Sequence, residues 1–381
     1  MDFNDYFDPV SLERPSYQLL EQAFVNQLWV HTANNPIKPG FYELVLIGVP
    51  EDSMSINQGS SGAPDEIRKK LYQLSAFSRS IKIADFGNLK KGKTINDTYY
   101  ALRDVCSGLV EKGSLPLVIG GSQDLTYGLY QALKNFHKPL GFSTIDSRLD
   151  FRKNGEDFDD YTYLKKIFDE TNEDHTLDYC NMGHQSYFVS SDQLKYMKDQ
   201  FYQAFRLGNV RYAMSEFEPV LRDAHLLSID ISAVKQSDAP AHILPSPNGF
   251  AGEELCQLAK YAGLSENLSC MGIFGVNPRY DRNFQTVHLA AQALWYFIEG
   301  FLNRMKETPK KGMTNFKKFI VKPDGVNDKI VFYRSLKSNR WWMEVEMKES
   351  KQIIACSYKD YIDACNNEIP ERYWKSFQKL D

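Results

Sequence analysis

Short apolar runs that each stop at Gly, Asp or Pro, separated by longer segments of helical period, constrain this chain more than any other feature of its 381 residues. The runs cover residues 41–49, 81–86, 115–119, 140–145, 224–229 and 268–274. Between them, residues 64–71, 97–112, 124–135, 191–207, 252–263 and 283–305 repeat their apolar positions at helical spacing. A strand followed by a helix returns to the sheet in the same direction, so this alternation predicts a mainly parallel sheet with helices on both faces. The expected architecture is a three-layer, doubly wound α/β/α domain, in which functional side chains sit just past the carboxyl ends of the strands.

The texture changes near residue 310. A Lys-rich link leads to apolar segments at 316–322, 329–335 and 341–347, the last two joined by a turn at 336–340, and then to helical patterns at 358–366 and 371–379. This reads as a hairpin with a third strand and a helical tail, so we divide the chain into an α/β domain, 1–309, and a small α+β appendage, 310–381. Hydrophobic residues at 43% and charged residues at 25% place it among globular proteins. Forty-five Lys and Arg against forty-nine Asp and Glu give a net charge of -4, so no bulk field favours nucleic acid or an anionic membrane. No stretch approaches the ~18 apolar residues that span a bilayer. Six dispersed cysteines without a C-x-x-C pair, and an acidic start with no apolar run after it, point to a cytoplasmic protein without structural zinc.

The segments just past the predicted strands carry a recognisable series. Ile47-Gly48-Val49-Pro50 precedes a Gly-rich loop, Asn57 to Pro64, that runs into Ile67-Arg68. Gly120-Gly121-Ser122-Gln123-Asp124, Asp146-Ser147-Arg148-Leu149-Asp150, Ser228-Ile229-Asp230-Ile231-Ser232 and Gly275-Val276-Asn277-Pro278 with Asp281 follow in order. These resemble the G-G-x-H, D-x-H-x-D, S-x-D-x-D and E-x-N-P motifs of the arginase, agmatinase and formimidoylglutamase family, over roughly residues 40 to 305. Four collinear matches at strand ends imply an arginase-like fold, and by the same resemblance a trimeric or hexameric homo-oligomer.

The resemblance also implies what the chain lacks. In the family two carboxylate-bridged Mn²⁺ ions activate a water for attack on a guanidino or formimino carbon. Asp146, Asp150 and Asp230 match ligands of that site. Gln123, Arg148 and Ser232 stand where a His, a His and an Asp are expected, and Gly275 replaces the Glu that pairs with the cationic end of the substrate. The second ion would keep only its bridging carboxylates. The first would keep Asp146, Asp150 and Asp230 with the Gln123 amide, so a single Mn²⁺ or Mg²⁺ is the alternative to an empty site, opposed by the permanent charge of Arg148. Three converging carboxylates need a cation, and we expect Arg148 to supply it by pairing with Asp146 or Asp150. The expected protein therefore has no catalytic residue and no metal or other cofactor. It acts by binding, scaffolding or assembly, with the appendage as the surface for an unknown protein partner. The opposing expectation is a formimidoylglutamase-like C–N hydrolase with altered or single-metal ligation.

Other signals compete. Gly87-Asn88-Leu89-Lys90-Lys91-Gly92-Lys93-Thr94 fits the G-x-x-x-x-G-K-[ST] phosphate-binding loop, although three bulky residues fill it and helical periodicity starts nearer Asp97; a solvated Lys-rich loop is the stronger reading. Asp223-Ala224-His225 precedes a strand and should not ligate. His184 reads as part of a loop over the site. Trp341 and Trp342 read as core of the appendage rather than as a docking surface.

Overall fold

The computed structural model describes residues 2–11, 21–152, 158–171, 177–309, 314–323, 329–346 and 351–378. Lys310 at the start of the link, the expected segment ends Met347 and Lys379, and His175 lie outside them. Ten strands form the main sheet: β1 (Phe7–Asp8), β2 (Leu28–Val30), β3 (Leu44–Val49), β4 (Ile83–Leu89), β5 (Leu115–Gly120), β6 (Leu140–Ile145), β7 (Leu177–His184), β8 (Gln203–Arg206), β9 (Leu226–Asp230) and β10 (Cys270–Phe274). Their order is β1-β4-β3-β5-β10-β9-β6-β7-β8, with β2 also paired to β4. The short β1 runs antiparallel to β4; every other pairing in this sheet is parallel.

Both faces are covered, which is why the strands read as continuous apolar runs rather than alternations. Leu44 and Leu46 of β3 enter one core with Ile67, Leu117 and Phe297, while Val45 and Ile47 enter the other with Phe86, Leu102 and Phe142. Among the described residues no helix is long and apolar enough to cross a membrane.

Two departures from the expected elements have local causes. The helix expected over 191–207 stops at Asp199, because Phe201 takes a left-handed conformation (φ 56°) and the chain then enters β8. The final helix of the domain begins at Gln285, two residues late: Asn283 and Phe284 are both left-handed, and the Asp281 carboxylate accepts the amides of Thr286 and Val287 at 3.0 and 2.8 Å.

The C-terminal segment forms a separate four-stranded antiparallel sheet: β11 (Phe316–Val321), β12 (Ile330–Ser335), β13 (Trp341–Glu346) and β14 (Lys351–Cys356) in that order, followed by helices Tyr358–Cys365 and Glu371–Gln378. β14 is one strand more than expected. Phe332, Trp341, Met343 and Tyr373 build its core. Trp342 serves a different purpose. It faces the main domain, where the Arg222 guanidinium lies 4.4 Å from its ring centroid and also donates to the Cys356 carbonyl at 3.1 Å. Beside it the Asp223 carboxylate accepts the Ala355 amide at 2.8 Å.

Candidate functional site

The central strand order β5-β10-β9-β6 brings the four motif loops to one sheet edge. Gln123 follows β5, Gly275 follows β10, Asp230 ends β9 with Ser232 two residues on, and Asp146, Arg148 and Asp150 follow β6. In-register pairs fix the juxtaposition: Phe274 lies beside Asp230, and Ile145 beside Ile229. All seven expected residues therefore come from loops at adjacent strand ends.

The three carboxylates are nearly sealed from water, at 2% exposure for Asp146, 4% for Asp150 and 8% for Asp230. Asp146 turns back to accept the Arg148 amide at 2.8 Å, and Asp230 accepts the Ser232 amide at 2.6 Å. Asp146 and Asp150 lie within hydrogen-bonding reach of one another. Burial, and then the charge of Asp230, push Asp146 up to about 7; burial, and then Asp146, raise Asp150 well above the usual carboxylate range. Two carboxyls this close and this dry resist being ionised together, since each charge raises the other group.

The three positions that depart from the motifs are occupied differently. The Gln123 amide reaches Asp146, and its Nε2 donates to Ser228 Oγ at 3.3 Å. Ser232 Oγ lies 3.3 Å from Ser147 Oγ. Arg148 corrects the expectation of an internal ion pair. Its guanidinium lies 3.8 Å over the Phe188 ring and 5.6 Å from that of Tyr161, and among the described residues it makes no ion pair. Its main chain is pinned instead, by Asp146 on the amide and by Asn181 Nδ2 on the carbonyl at 2.9 Å.

Gly275 has φ +80°, and a Cβ there would start 3.0 Å from Asp230 Oδ2. The rest of that loop is a brace. Asn57 Nδ2 donates to the Gly275 carbonyl at 2.8 Å, and Asn277 Nδ2 donates to Asn57 Oδ1 at 2.9 Å. The Gly-rich loop and the last motif thus lock together across more than two hundred residues of chain.

Sequence reasoning overlooked further titratable groups in the same cleft. Asp160 accepts from Ser55 and is pushed up to about 8 by burial, with Asp124 adding to the shift. Asp124, fully buried, accepts from Tyr99 and is pushed up to about 6, again by burial. His242 is 7% exposed and takes the Leu244 amide on Nδ1 at 3.1 Å; burial lowers it, and the charges of Asp230 and Arg148 both reach it. Only Asp124 was signalled, as the last residue of its motif. Asp160 and His242 sit in loops that carry no pattern. Among the described residues no group of three or more His, Cys, Asp or Glu side chains is arranged to hold a metal ion.

The competing signals lie elsewhere. Gly87 and Leu89 belong to β4, where a Cβ on Gly87 would strike the Asp8 carbonyl, so no phosphate cradle forms. Lys91 pairs with Glu51 at 3.1 Å, and Thr94 caps the following helix in a reciprocal box with Asp97. His225 lies at the opposite end of the sheet, stacked on His137 with centroids 3.9 Å apart and accepting the Gly141 amide at 2.8 Å. His184 is the last residue of β7 rather than part of a loop. It is 1% exposed, and its Nδ1 has no hydrogen-bond partner among the described residues.

Comparison with known proteins bears on the fold and the lineage. The formimidoylglutamase of Lysinibacillus sphaericus is 26% identical over 312 residues, spanning 77% of this chain and 92% of that protein. The mitochondrial guanidino acid hydrolase of Homo sapiens is 24% identical, spanning 68% of this chain and 78% of that protein. The crystal structure of formimidoylglutamase from Bacillus subtilis superposes with a TM-score of 0.68 at 20% identity, covering 78% of this chain and 97% of that one. That of Trypanosoma cruzi formiminoglutamase with Mn²⁺ gives 0.64 at 21% identity, covering 69% and 94%. The sequence pattern of the arginase family matches residues 42–299, a span that contains every loop of the cleft, and the chain belongs to the arginase family.

Proposed function

We propose that this arginase-family protein does not carry out two-metal hydrolysis and acts by binding a ligand or partner. One observation carries the reading: three of the family's six ligand positions hold Gln, Arg and Ser in place of His, His and Asp. Gln123 turns a donor nitrogen toward Ser228. Arg148 offers only N–H donors and a fixed positive charge. Ser232 offers a neutral hydroxyl. Asp146, Asp150 and Asp230 remain as carboxylate donors at the other three positions. The donor set does not fit a pair of Mn²⁺ ions. Gly275 adds a second departure, since it gives a cationic substrate no carboxylate to pair with.

A second reading is a formimidoylglutamase-like C–N hydrolase using one ion on Asp146, Asp150, Asp230 and Gln123. The convergence of those residues supports it, and so does the likeness to formimidoylglutamases. Metal analysis of the purified protein, with turnover assays on arginine, agmatine and formimidoylglutamate in added Mn²⁺, separates the two. The leading reading expects substoichiometric metal and no turnover; hydrolysis of any of the three overturns it. We further propose a cytoplasmic homo-oligomer, testable by light scattering of the full chain.

A further inference from the structure

Building on that reading, we infer that the cavity beside Arg148 binds an organic anion with an apolar, ring-sized body. Arg148 is half-buried between Phe188 and Tyr161, with its main chain held at both amide and carbonyl. Its guanidinium carries five N–H donors, and among the described residues none is matched by a carboxylate. A guanidinium fixed in place, shielded by aromatic faces and left without an acceptor is organised to receive an anion. The ring contact holds the fork still, so less freedom is lost when the anion arrives.

Arg148 forms one wall of a cavity of about 630 Å³, a volume within the range of small-molecule sites. Lys195, on the opposite helix, adds a second cation without an ion-pair partner among the described residues. Phe151 and Tyr196, with ring centroids 5.2 Å apart, supply an apolar floor. The anionic head sits on the Arg148 fork and the body lies against those two rings. Asp150, Asp169, Asp192 and Asp199 also line the cavity, Asp169 paired with Lys165 at 2.6 Å, so the anion is selected locally, at the Arg148 fork, unpaired among the described residues, where a cationic end is repelled.

The test uses the full chain in EDTA, with 1-anilinonaphthalene-8-sulfonate as fluorescent probe and phenylacetate, benzylamine and inorganic phosphate as competitors. One saturable probe site is expected, displaced by phenylacetate and not by benzylamine, with phosphate at least tenfold weaker than phenylacetate. Arg148→Gln should weaken probe binding tenfold or more, whereas Arg211→Gln, at a different surface, should leave it unchanged. Should Arg148→Gln fail to fold, Phe188→Leu, which removes the shelf and keeps the charge, should weaken binding several-fold. Absence of a saturable site, insensitivity to both substitutions, equal displacement by benzylamine, or phosphate competing as well as phenylacetate would each overturn the inference. Turnover with Mn²⁺ would sink the reading of the previous section without altering this readout, and loss of probe binding would leave that reading standing.

Discussion

Asp146→Asn should stabilise the protein at pH 8. The carboxyl is 2% exposed and is pushed from 3.8 up to about 7, first by burial and then by Asp230. A folded value above the unfolded one means that the folded chain holds the proton more tightly. The stability this contributes is complete below about pH 3.8 and is lost as pH rises through about 7. A separation of about three units at about 1.4 kcal/mol each gives roughly 4 kcal/mol. Because Asp146 and Asp150 raise one another, one substitution should recover about 2–4 kcal/mol of it. Asn preserves the acceptor that meets the Arg148 amide at 2.8 Å, so the turn itself is not sacrificed. Urea unfolding of both proteins in EDTA at pH 5, 6.5 and 8 measures the effect. Wild type should lose stability across the series and Asp146→Asn should lose less, with the slope m unchanged. A variant less stable than wild type at pH 8 by more than about 1 kcal/mol would refute the reasoning, since it would show that the site needs the anion.

Three further outcomes follow from the same structure. Gly275→Ala should cost about 1–3 kcal/mol, because φ is +80° and the new methyl meets Asp230 at 3.0 Å; an unchanged melting temperature would show that the loop relaxes. Arg222→Ala removes one of the two cations on Glu218, which keeps Arg340 at 3.4 Å, and leaves the Cys356 carbonyl without its donor, so it should cost about 1–3 kcal/mol in urea unfolding; Arg222→Met, which still covers Trp342, should cost less, and equal losses would count against the ring contact. His225 is pushed down to about 4 by burial and then by His137, so the stability it contributes is present above about pH 6.5 and is lost as pH falls through 4. His225→Gln should flatten the acid limb of the stability curve by up to about 3 kcal/mol; an unchanged limb would assign acid sensitivity elsewhere.

The loops of the cleft were legible because parallel strands end in residues chosen for their position, and a motif such as D-x-H-x-D needs only five residues to declare itself. The same short range made the departures at Gln123, Arg148 and Ser232 visible. Sequence could not say where Arg148 goes. Three acidic neighbours made an ion pair the natural expectation, but its partner is the ring of Phe188, forty residues later and across a strand. β7 and β8 escaped notice for a related reason. Asp178, Asn181 and His184 interrupt the apolar run of β7, although Asn181 is buried and its Nδ2 donates to Thr144 and to the Arg148 carbonyl. β8 ran on from an apolar helical period that Phe201 breaks through a backbone angle with no signature in the side chains.

The anchor of the appendage and the acidic cleft occupy the two ends of one short rod. Arg222 and Asp223 lead into β9, and Asp230 closes it, so at about 3.3 Å per residue roughly 20 Å separates them. Under the proposed binding role, a partner on the C-terminal sheet and a small molecule in the cleft would engage opposite ends of β9, so occupancy of one end could be measured with the other filled on the same molecule.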